Sequence, residues 1–247
     1  MSKEQLRTLY NAGYFTGGEY ENHLAEAASF RKNFRLRMKI MSELLDPTRH
    51  QKLLEIGCGY GIFLDLVRND FKSVTGIDIA EDAVEHARKV FGLNALCVDF
   101  LDLDLGGQTF DVVCLWDTIE HLLEPQRHIE KISRATHHGA LLAITTGDIE
   151  SLNARLRRSR WRMIHPPSHL HYFSRKSLST LLERHGFKVV RAQYCGYYRS
   201  FRRMIHNVVL LSWKRPDLYA ALGKLRIPDF GLYLNLYDII YVIACKK

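Results

Sequence analysis

Cysteine is scarce in this 247-residue chain: there are five, an odd number, at positions 58, 97, 114, 195 and 245. No two are closely spaced and most sit in apolar runs. That pattern excludes a disulfide frame and a closely spaced zinc-ligand set, and fits reduced thiols in a cytoplasmic protein. Long apolar runs are also missing. The stretch Ile239 to Cys245 is among the longest, far short of the roughly 18 residues a spanning helix needs, so no transmembrane segment is expected. The opening "MSKEQLRTLYNAGYF" has no apolar run behind a basic start, so no secretory signal is expected. Internal repeats and low-complexity segments are absent. So is an excess of acid: 35 Lys and Arg face 27 Asp and Glu, a net charge of +8 with a pI near 9.2. A basic balance permits an acidic substrate, an anionic membrane surface or RNA as partner. Much of it lies in 151–215, including Arg155, Arg157, Arg158, Arg160, Arg162, Arg175, Lys176, Arg202, Arg203, Lys214 and Arg215. A solvated, soluble face explains that clustering equally well.

What is present is ordinary globular composition, 47% hydrophobic and 25% charged, enough for one sizeable core with appendages. Residues 20–45 read as a helix, with Leu24, Ala27, Ala28, Phe34, Met38, Met41 and Leu45 recurring at three- and four-residue steps. Asp46-Pro47 ends it. Short apolar strands then alternate with helices: strands at 52–56, 73–78, 95–99, 110–116 and 140–146, helices at 62–69, 81–91 and 125–136. A helix over 174–185 follows, with Ser174 as N-cap and Gly186 as stop. A sixth strand spans 187–193 and a last one 236–246, after a basic, aromatic, partly helical insertion at 197–234. Alternation of this kind implies parallel βαβ units and a doubly wound α/β sheet. Continuous apolar strands such as "DVVCLW" fit a sheet buried on both faces.

The glycine turn "EIGCGYG" sets Gly57, Gly59 and Gly61 between a strand and a helix, where the backbone turns sharply and approaches a ligand closely. A dinucleotide fingerprint would want glycine at position 62, which is Ile62. Glu55 before the turn would repel a pyrophosphate but suits a ligand with a cationic end. Asp78, 21 residues after Gly57, can accept hydrogen bonds from both ribose hydroxyls. Asp99-Phe100 offers a carboxylate and an aromatic face to an adenine. With no Walker lysine, these features describe a nucleoside site without phosphates.

In order and spacing, "EIGCGYG", "GIDIA", "VDF" and "FDVVCLWDTIEHLLEP" resemble the successive motifs of class I S-adenosylmethionine-dependent methyltransferases, across nearly all of 50–247. The resemblance implies a Rossmann-like, doubly wound sheet of seven strands with the last antiparallel. An N-terminal helical lid segment (1–47) would precede the methyltransferase domain (48–247). It further implies S-adenosyl-L-methionine as cofactor and S-adenosyl-L-homocysteine as product. Glu55, Gly57, Cys58 and Gly59 would line the methionine end, Asp78 the ribose, and Ile79, Asp99 and Phe100 the adenine. Trp116 and Asp117 would sit beside the methionine moiety.

Methyl transfer to a hydroxyl needs positioning and removal of a proton. His121, at the carboxyl edge of the fourth strand, is the candidate base, though Glu120 and His121 could equally anchor the next helix. The pattern Asp117-x-x-Glu120-His121 looks like the divalent-metal site of some quinone O-methyltransferases, with Asp117 one methylene short. Carboxylates with one imidazole suit a hard cation such as magnesium. The stretch "HPPSHLHYFS" (165–174), with "LLERHGFKVV" after it, resembles a bacterial subgroup associated with surface-polysaccharide and related small-molecule methylation. There His169 and His171 would face the acceptor if the segment is extended, His169 as a second catalytic candidate. Tyr172 and the N-terminal Tyr14 join the substrate-contact set. In "YNAGYFTGGEYENH", Tyr10, Tyr14, Phe15 and Tyr20 fit either a lid or a staple for the first helix. The basic amphipathic run at 197–215 fits a peripheral membrane contact, a dimer face or a core-packed lid. No appended RNA-binding module is visible. The expected activity is methyl transfer to a hydroxyl or amine of a small, glycan-related molecule. The alternatives are a metal-dependent quinone-type O-methyltransferase, a tRNA-modifying enzyme, or a regulator that binds the cofactor without catalysis.

Overall fold

One sheet of seven strands organises the chain, in the order β3-β2-β1-β4-β5-β9-β6. The computed structural model describes residues 26–206, 208–209, 214–219 and 230–247, together with Gln5. Expectations for Tyr10, Tyr14, Phe15, Tyr20 and Leu24, and for parts of the 197–234 insertion, fall outside the described residues. The strands are β1 (Lys52–Ile56), β2 (Ser73–Asp78), β3 (Asn94–Cys97), β4 (Phe110–Trp116), β5 (Thr136–Gly147), β6 (Phe187–Tyr194) and β9 (Ile239–Lys246). β1 to β5 pair in parallel, while β9 runs antiparallel between β5 and β6. Two short strands, β7 (Tyr197–Ser200) and β8 (Gly231–Leu234), form a separate antiparallel ribbon.

Alternation along the strands feeds two cores, one on each face of the sheet. Along β4, Val113 and Leu115 join Leu54, Ile56, Ile144 and Val242 on one face. There they meet Ile129 and Ile132 of α4 (Pro125–Arg134) and, after the short α5 (Leu152–Arg157), Leu178 and Leu182 of α6 (Arg175–Arg184). Val112, Cys114 and Trp116 join Leu53, Ala143, Tyr241 and Ile243 on the other. That face is covered by Met41 of α1 (Ala27–Ser42), Phe63 and Leu64 of α2 (Ile62–Val67), and Val84 and Ala87 of α3 (Glu81–Phe91). Truncating one fully buried leucine in either layer costs about 2–5 kcal/mol. Cys58 and Cys114 are buried among these side chains.

Local signals set most boundaries. Ser174 caps α6 with a reciprocal pair of bonds to Ser177, satisfying backbone donors that a helix start leaves open. Gly186 adopts φ 82 just after that helix. Pro125 opens α4, where a missing N–H costs nothing. Other boundaries moved. β3 ends at Cys97 rather than Asp99, because Asp99 turns the chain, accepting the Leu101 N–H on its side chain at 2.9 Å. The last strand starts at Ile239 rather than Leu236, since Tyr237 has φ 52 and breaks the extended run. The expected amphipathic helix at 197–215 begins instead as β7, followed by the six-residue α7 (Phe201–His206). No helix among the described residues is long and apolar enough to cross a membrane.

The segment between β5 and α6 is pinned at both ends. Buried Asp238 accepts hydrogen bonds from Trp161 Nε1 at 2.9 Å, Asn153 at 2.7 Å and Arg162 at 2.8 Å. At its far end, Phe173 bridges to Asp148 and its carbonyl accepts the Ile149 N–H at 2.9 Å. The histidine-rich stretch 165–171 is thereby held over the carboxyl ends of β4 and β5.

Candidate active site

The carboxyl ends of β1, β2, β4 and β5 meet at one edge, the place where open α/β sheets bind ligands. Gly57, Gly59 and Gly61 all have positive φ there, at 79°, 48° and 76°. A Cβ on Gly57 would collide with Thr118 Oγ1 at 2.5 Å, whereas a Cβ on Gly59 would meet nothing within 4 Å. Gly59 therefore faces open space and Gly57 packs under the β4 loop. Asp78 lies across the turn. Its carboxylate accepts the Gly59 N–H at 2.7 Å and the Ala80 N–H at 2.9 Å, fixing its orientation. Burial pushes its pKa up, against the backbone donors that favour the charged form. Glu55 is 2% exposed and its Oε2 has no hydrogen-bond partner. Burial and the neighbouring Asp78 hold its carboxyl well above the usual range, and a cation beside it would favour the charged form. Trp116 Nε1 is likewise buried without a partner.

Arg37 of α1 enters from the opposite side. Its guanidinium donates to Asp117 Oδ2 at 2.7 Å and lies over the rings of Phe34 and Trp116, 5.4 and 5.3 Å from their centroids. Asp117 has φ 50, which aims its side chain back at Arg37 and Thr145, whose hydroxyl donates to Oδ1 at 2.9 Å. Burial raises the Asp117 pKa, but Arg37 and Thr145 together bring it below the ordinary value. Arg37, Thr145 and Thr146 were missed in the sequence. The signal for Arg37 was a charge set into an apolar stripe, three residues after Phe34 and four before Met41.

Beyond Asp117 a short 3₁₀ turn, Ile119–His121, lifts Glu120 and His121 towards the histidine stretch. Glu120 is 2% exposed; Oε2 accepts from Thr146 Oγ1 at 2.9 Å, and Oε1 has no partner. Burial and the Asp117 charge push its pKa to about 8. Its backbone carbonyl accepts the N–H groups of Leu170 and His171, at 2.8 and 3.1 Å, which fastens the two loops together. His121 Nδ1 lies 2.9 Å from the Ser168 carbonyl. A carbonyl only accepts, so Nδ1 carries the proton and the neutral ring keeps its lone pair on Nε2. The His169 ring stands edge-on to His121, with centroids 4.6 Å apart. Burial lowers the pKa of both rings, His169 to about 4 with His121 and His165 contributing.

The structure thus gathers Glu55, Gly59, Asp78, Trp116 and Asp117 at one edge and Glu120, His121 and His169 beside it. Ile79 and Asp99 are half-buried near the β2 and β3 ends. Phe100 is 2% exposed and packs in the core with the Lys131 ammonium over its ring. His171 diverges from His169, its Nε2 lying 3.4 Å from the Leu123 carbonyl. The stretch turns at Ser168 instead of running extended, and Tyr172 projects outward, 39% exposed. Tyr14 lies outside the described residues. Asp117, Glu120 and His121 do not close as a ligand set, because Arg37 and Thr145 occupy both Asp117 oxygens.

Comparison with known proteins follows the same division. Residues 27–192, well over half of the chain, match a family described as a methyltransferase domain. A Mycobacterium tuberculosis protein named "probable S-adenosylmethionine-dependent methyltransferase" is 26% identical over 221 residues, covering 83% of this chain and 78% of that one. Ubiquinone biosynthesis O-methyltransferase of Coxiella burnetii is 25% identical over 116 residues, or 45% of this chain and 49% of that protein. The match therefore spans about half the length of those curated relatives. Among solved structures, magnesium protoporphyrin IX methyltransferase from Synechocystis PCC 6803, with bound S-adenosylhomocysteine, superposes with a TM-score of 0.61 at 14% identity, covering 100% of each chain. An S-adenosylmethionine-dependent methyltransferase from Clostridium acetobutylicum gives 0.60 at 11% identity, over 95% of this chain and 97% of that one.

Proposed function

The chain belongs to the S-adenosylmethionine-dependent methyltransferases, and from that premise we propose that it methylates a hydroxyl group of a small, glycan-type molecule seated over His121 and His169. The observation that carries this reading is the fixed tautomer of His121, whose Nδ1 proton on the Ser168 carbonyl makes Nε2 the basic nitrogen of the ring. In the reaction the acceptor oxygen gives its proton to Nε2 and attacks the cofactor methyl carbon. The carbon–sulfur bond breaks, and its electron pair returns to sulfur as S-adenosylhomocysteine forms. Asp117, held ionised by Arg37, stabilises the imidazolium that appears. His169, kept neutral by burial, packs against the base and orients it.

Cofactor roles follow the same edge. Asp78 takes the ribose hydroxyls, Gly57, Cys58 and Gly59 form the turn beneath the methionine portion, and Glu55 and Trp116 line its far side. Asp99 and Ile79 flank the adenine. Residues 1–47 would bring Tyr14 towards the acceptor, with α1 already docked through Arg37. A second reading, methylation of a quinol-type phenol, is favoured by the Coxiella relative; its acceptor hydroxyl is more acidic and needs less help from a base. Incubating the protein with S-adenosylmethionine and a panel of nucleotide sugars, other polyols, quinols and amines separates these by methylated mass. Methylation confined to amines would refute the hydroxyl reading.

A further inference from the structure

The short helix α5 turns its apolar side outward. Its buried residue is Ala154, while Leu152 and Leu156, one turn apart on the outer face, are 72% and 74% exposed. A helix on a globular surface normally sends its large apolar residues to the core. Scattered exposed leucines need no explanation, but adjacent ones framed by polar groups mark a contact surface. Here the frame is charge of one sign. From 151 to 182 the chain carries seven Lys and Arg and no Asp or Glu. Arg155, Arg158 and Arg160 are exposed, and they form no ion pair among the described residues. The patch continues onto the end of the chain. Asn153 donates to Asp238 at 2.7 Å, which sets α5 beside exposed Tyr237, and the exposed Tyr194 ring stands 6.2 Å from that of Tyr237. Burial and Asp148 raise the Tyr194 pKa, and Arg175 and Arg155 pull it back, so both guanidinium groups lie near this ring.

We propose that the outer face of α5, with the arginines that follow it and the tyrosines beside it, docks on an anionic phospholipid surface. The leucines sink into the boundary between headgroups and acyl chains. Arginine stems lie along that boundary while their guanidinium groups meet headgroup phosphates, and tyrosine rings suit the interface itself. A nucleic acid would match the charge and give the two leucines no role. A second copy of this chain, packed face to face, would set arginine against arginine. The surface is distinct from the run at 197–215, where β7 and the short α7 replace the expected amphipathic helix. The contact needs no particular methyl acceptor. It does fix an orientation: α5 runs on through Trp161 and Arg162 into the histidine stretch, so a docked chain holds that stretch close to the lipid.

The full chain is sedimented with vesicles of phosphatidylcholine alone and of phosphatidylcholine mixed equally with phosphatidylglycerol. Binding to the mixed vesicles is expected, weakening as salt rises, with little binding to phosphatidylcholine. Each arginine near an anionic bilayer contributes about fivefold to partitioning, so the double variant Arg155→Gln, Arg160→Gln should lose at least about tenfold. Leu152→Ser with Leu156→Ser should lose a comparable factor by removing the buried apolar area. Arg134→Gln, at the end of α4, should partition as wild type. All these positions are exposed, so melting temperature and S-adenosylhomocysteine affinity should hold in every variant, separating lost docking from lost folding. Equal binding to both vesicle types, or wild-type partitioning of the leucine pair, would overturn the proposal. So would competition by soluble glycerol 3-phosphate, or tighter binding to bulk tRNA than to the mixed vesicles. A dimer in sedimentation velocity that the leucine substitutions break would also overturn it, since a second copy would then cover this face.

Discussion

Replacing Gly59 by alanine separates the ligand space of the glycine turn from its backbone needs. At φ 48 a non-glycine residue costs about 1–2 kcal/mol. For a chain of this size each kcal/mol lowers Tm by about 2–4 °C, so Gly59→Ala should melt roughly 2–8 °C lower. Gly92, the left-handed residue after α3, has φ 65 and equally open surroundings, but lies away from the edge that holds Asp78. Gly92→Ala should therefore show a similar drop in Tm. The two variants should part in ligand binding. A Cβ at 59 would meet no protein atom within 4 Å, on the residue whose N–H the Asp78 carboxylate accepts at 2.7 Å. If the cofactor fills that space, the added methyl loses at least tenfold in S-adenosylhomocysteine affinity, about 1.4 kcal/mol. Thermal melts and calorimetric titration measure both quantities. Equal affinity in Gly59→Ala and Gly92→Ala would refute the placement of the ligand over the turn.

Three other expectations follow from the same edge. Arg37→Ala removes a charged hydrogen bond to Asp117 worth about 1.5–3 kcal/mol when buried. Because the Asp117 side chain is 39% exposed, screening trims this towards about 1–2 kcal/mol; urea unfolding measures it, and a loss indistinguishable from zero would show the pair to be fully screened. Glu120, whose pKa rises to about 8 in the fold, favours the protonated folded state. Its stabilising contribution is whole below the unfolded value of 4.5 and is lost as pH rises through about 8. Glu120→Gln should thus gain stability relative to wild type between pH 6 and 9; the lowered pKa values of His121 and His169 raise stability with pH near 6.5 in both proteins and cancel in the comparison. An unchanged difference across that range would remove the raised pKa from the account. His121→Ala should cut kcat by about 10²–10⁴ while S-adenosylhomocysteine affinity stays; full turnover would dismiss His121 as base.

The parallel sheet was legible because its strands are short, apolar and punctuated by turns, and because β4 packs on both faces. Gly57, Gly59 and Asp78 could be placed from spacing, since one strand–turn–helix unit fixes them locally. The Glu120–His121–His169 cluster could not. Glu120 and His169 lie 49 residues apart, and their meeting depends on Trp161 and Arg162 binding Asp238, near the other end of the chain. Nor does spacing alone reveal that Arg37 reaches Asp117 across 80 residues and so removes it from any ligand set. The end of β3 was harder to read: the strand stops two residues before Asp99, and Phe100 beyond it is buried.

The central claim is a cofactor held at the β1–β2 edge by Asp78. Calorimetric titration of S-adenosylhomocysteine into the wild-type chain and Asp78→Asn tests it most directly. One molecule per chain is expected, and the variant should bind about 10- to 100-fold more weakly, from loss of a charged acceptor worth about 1.5–3 kcal/mol. No binding to the wild type, or equal affinity in the variant, would contradict the account.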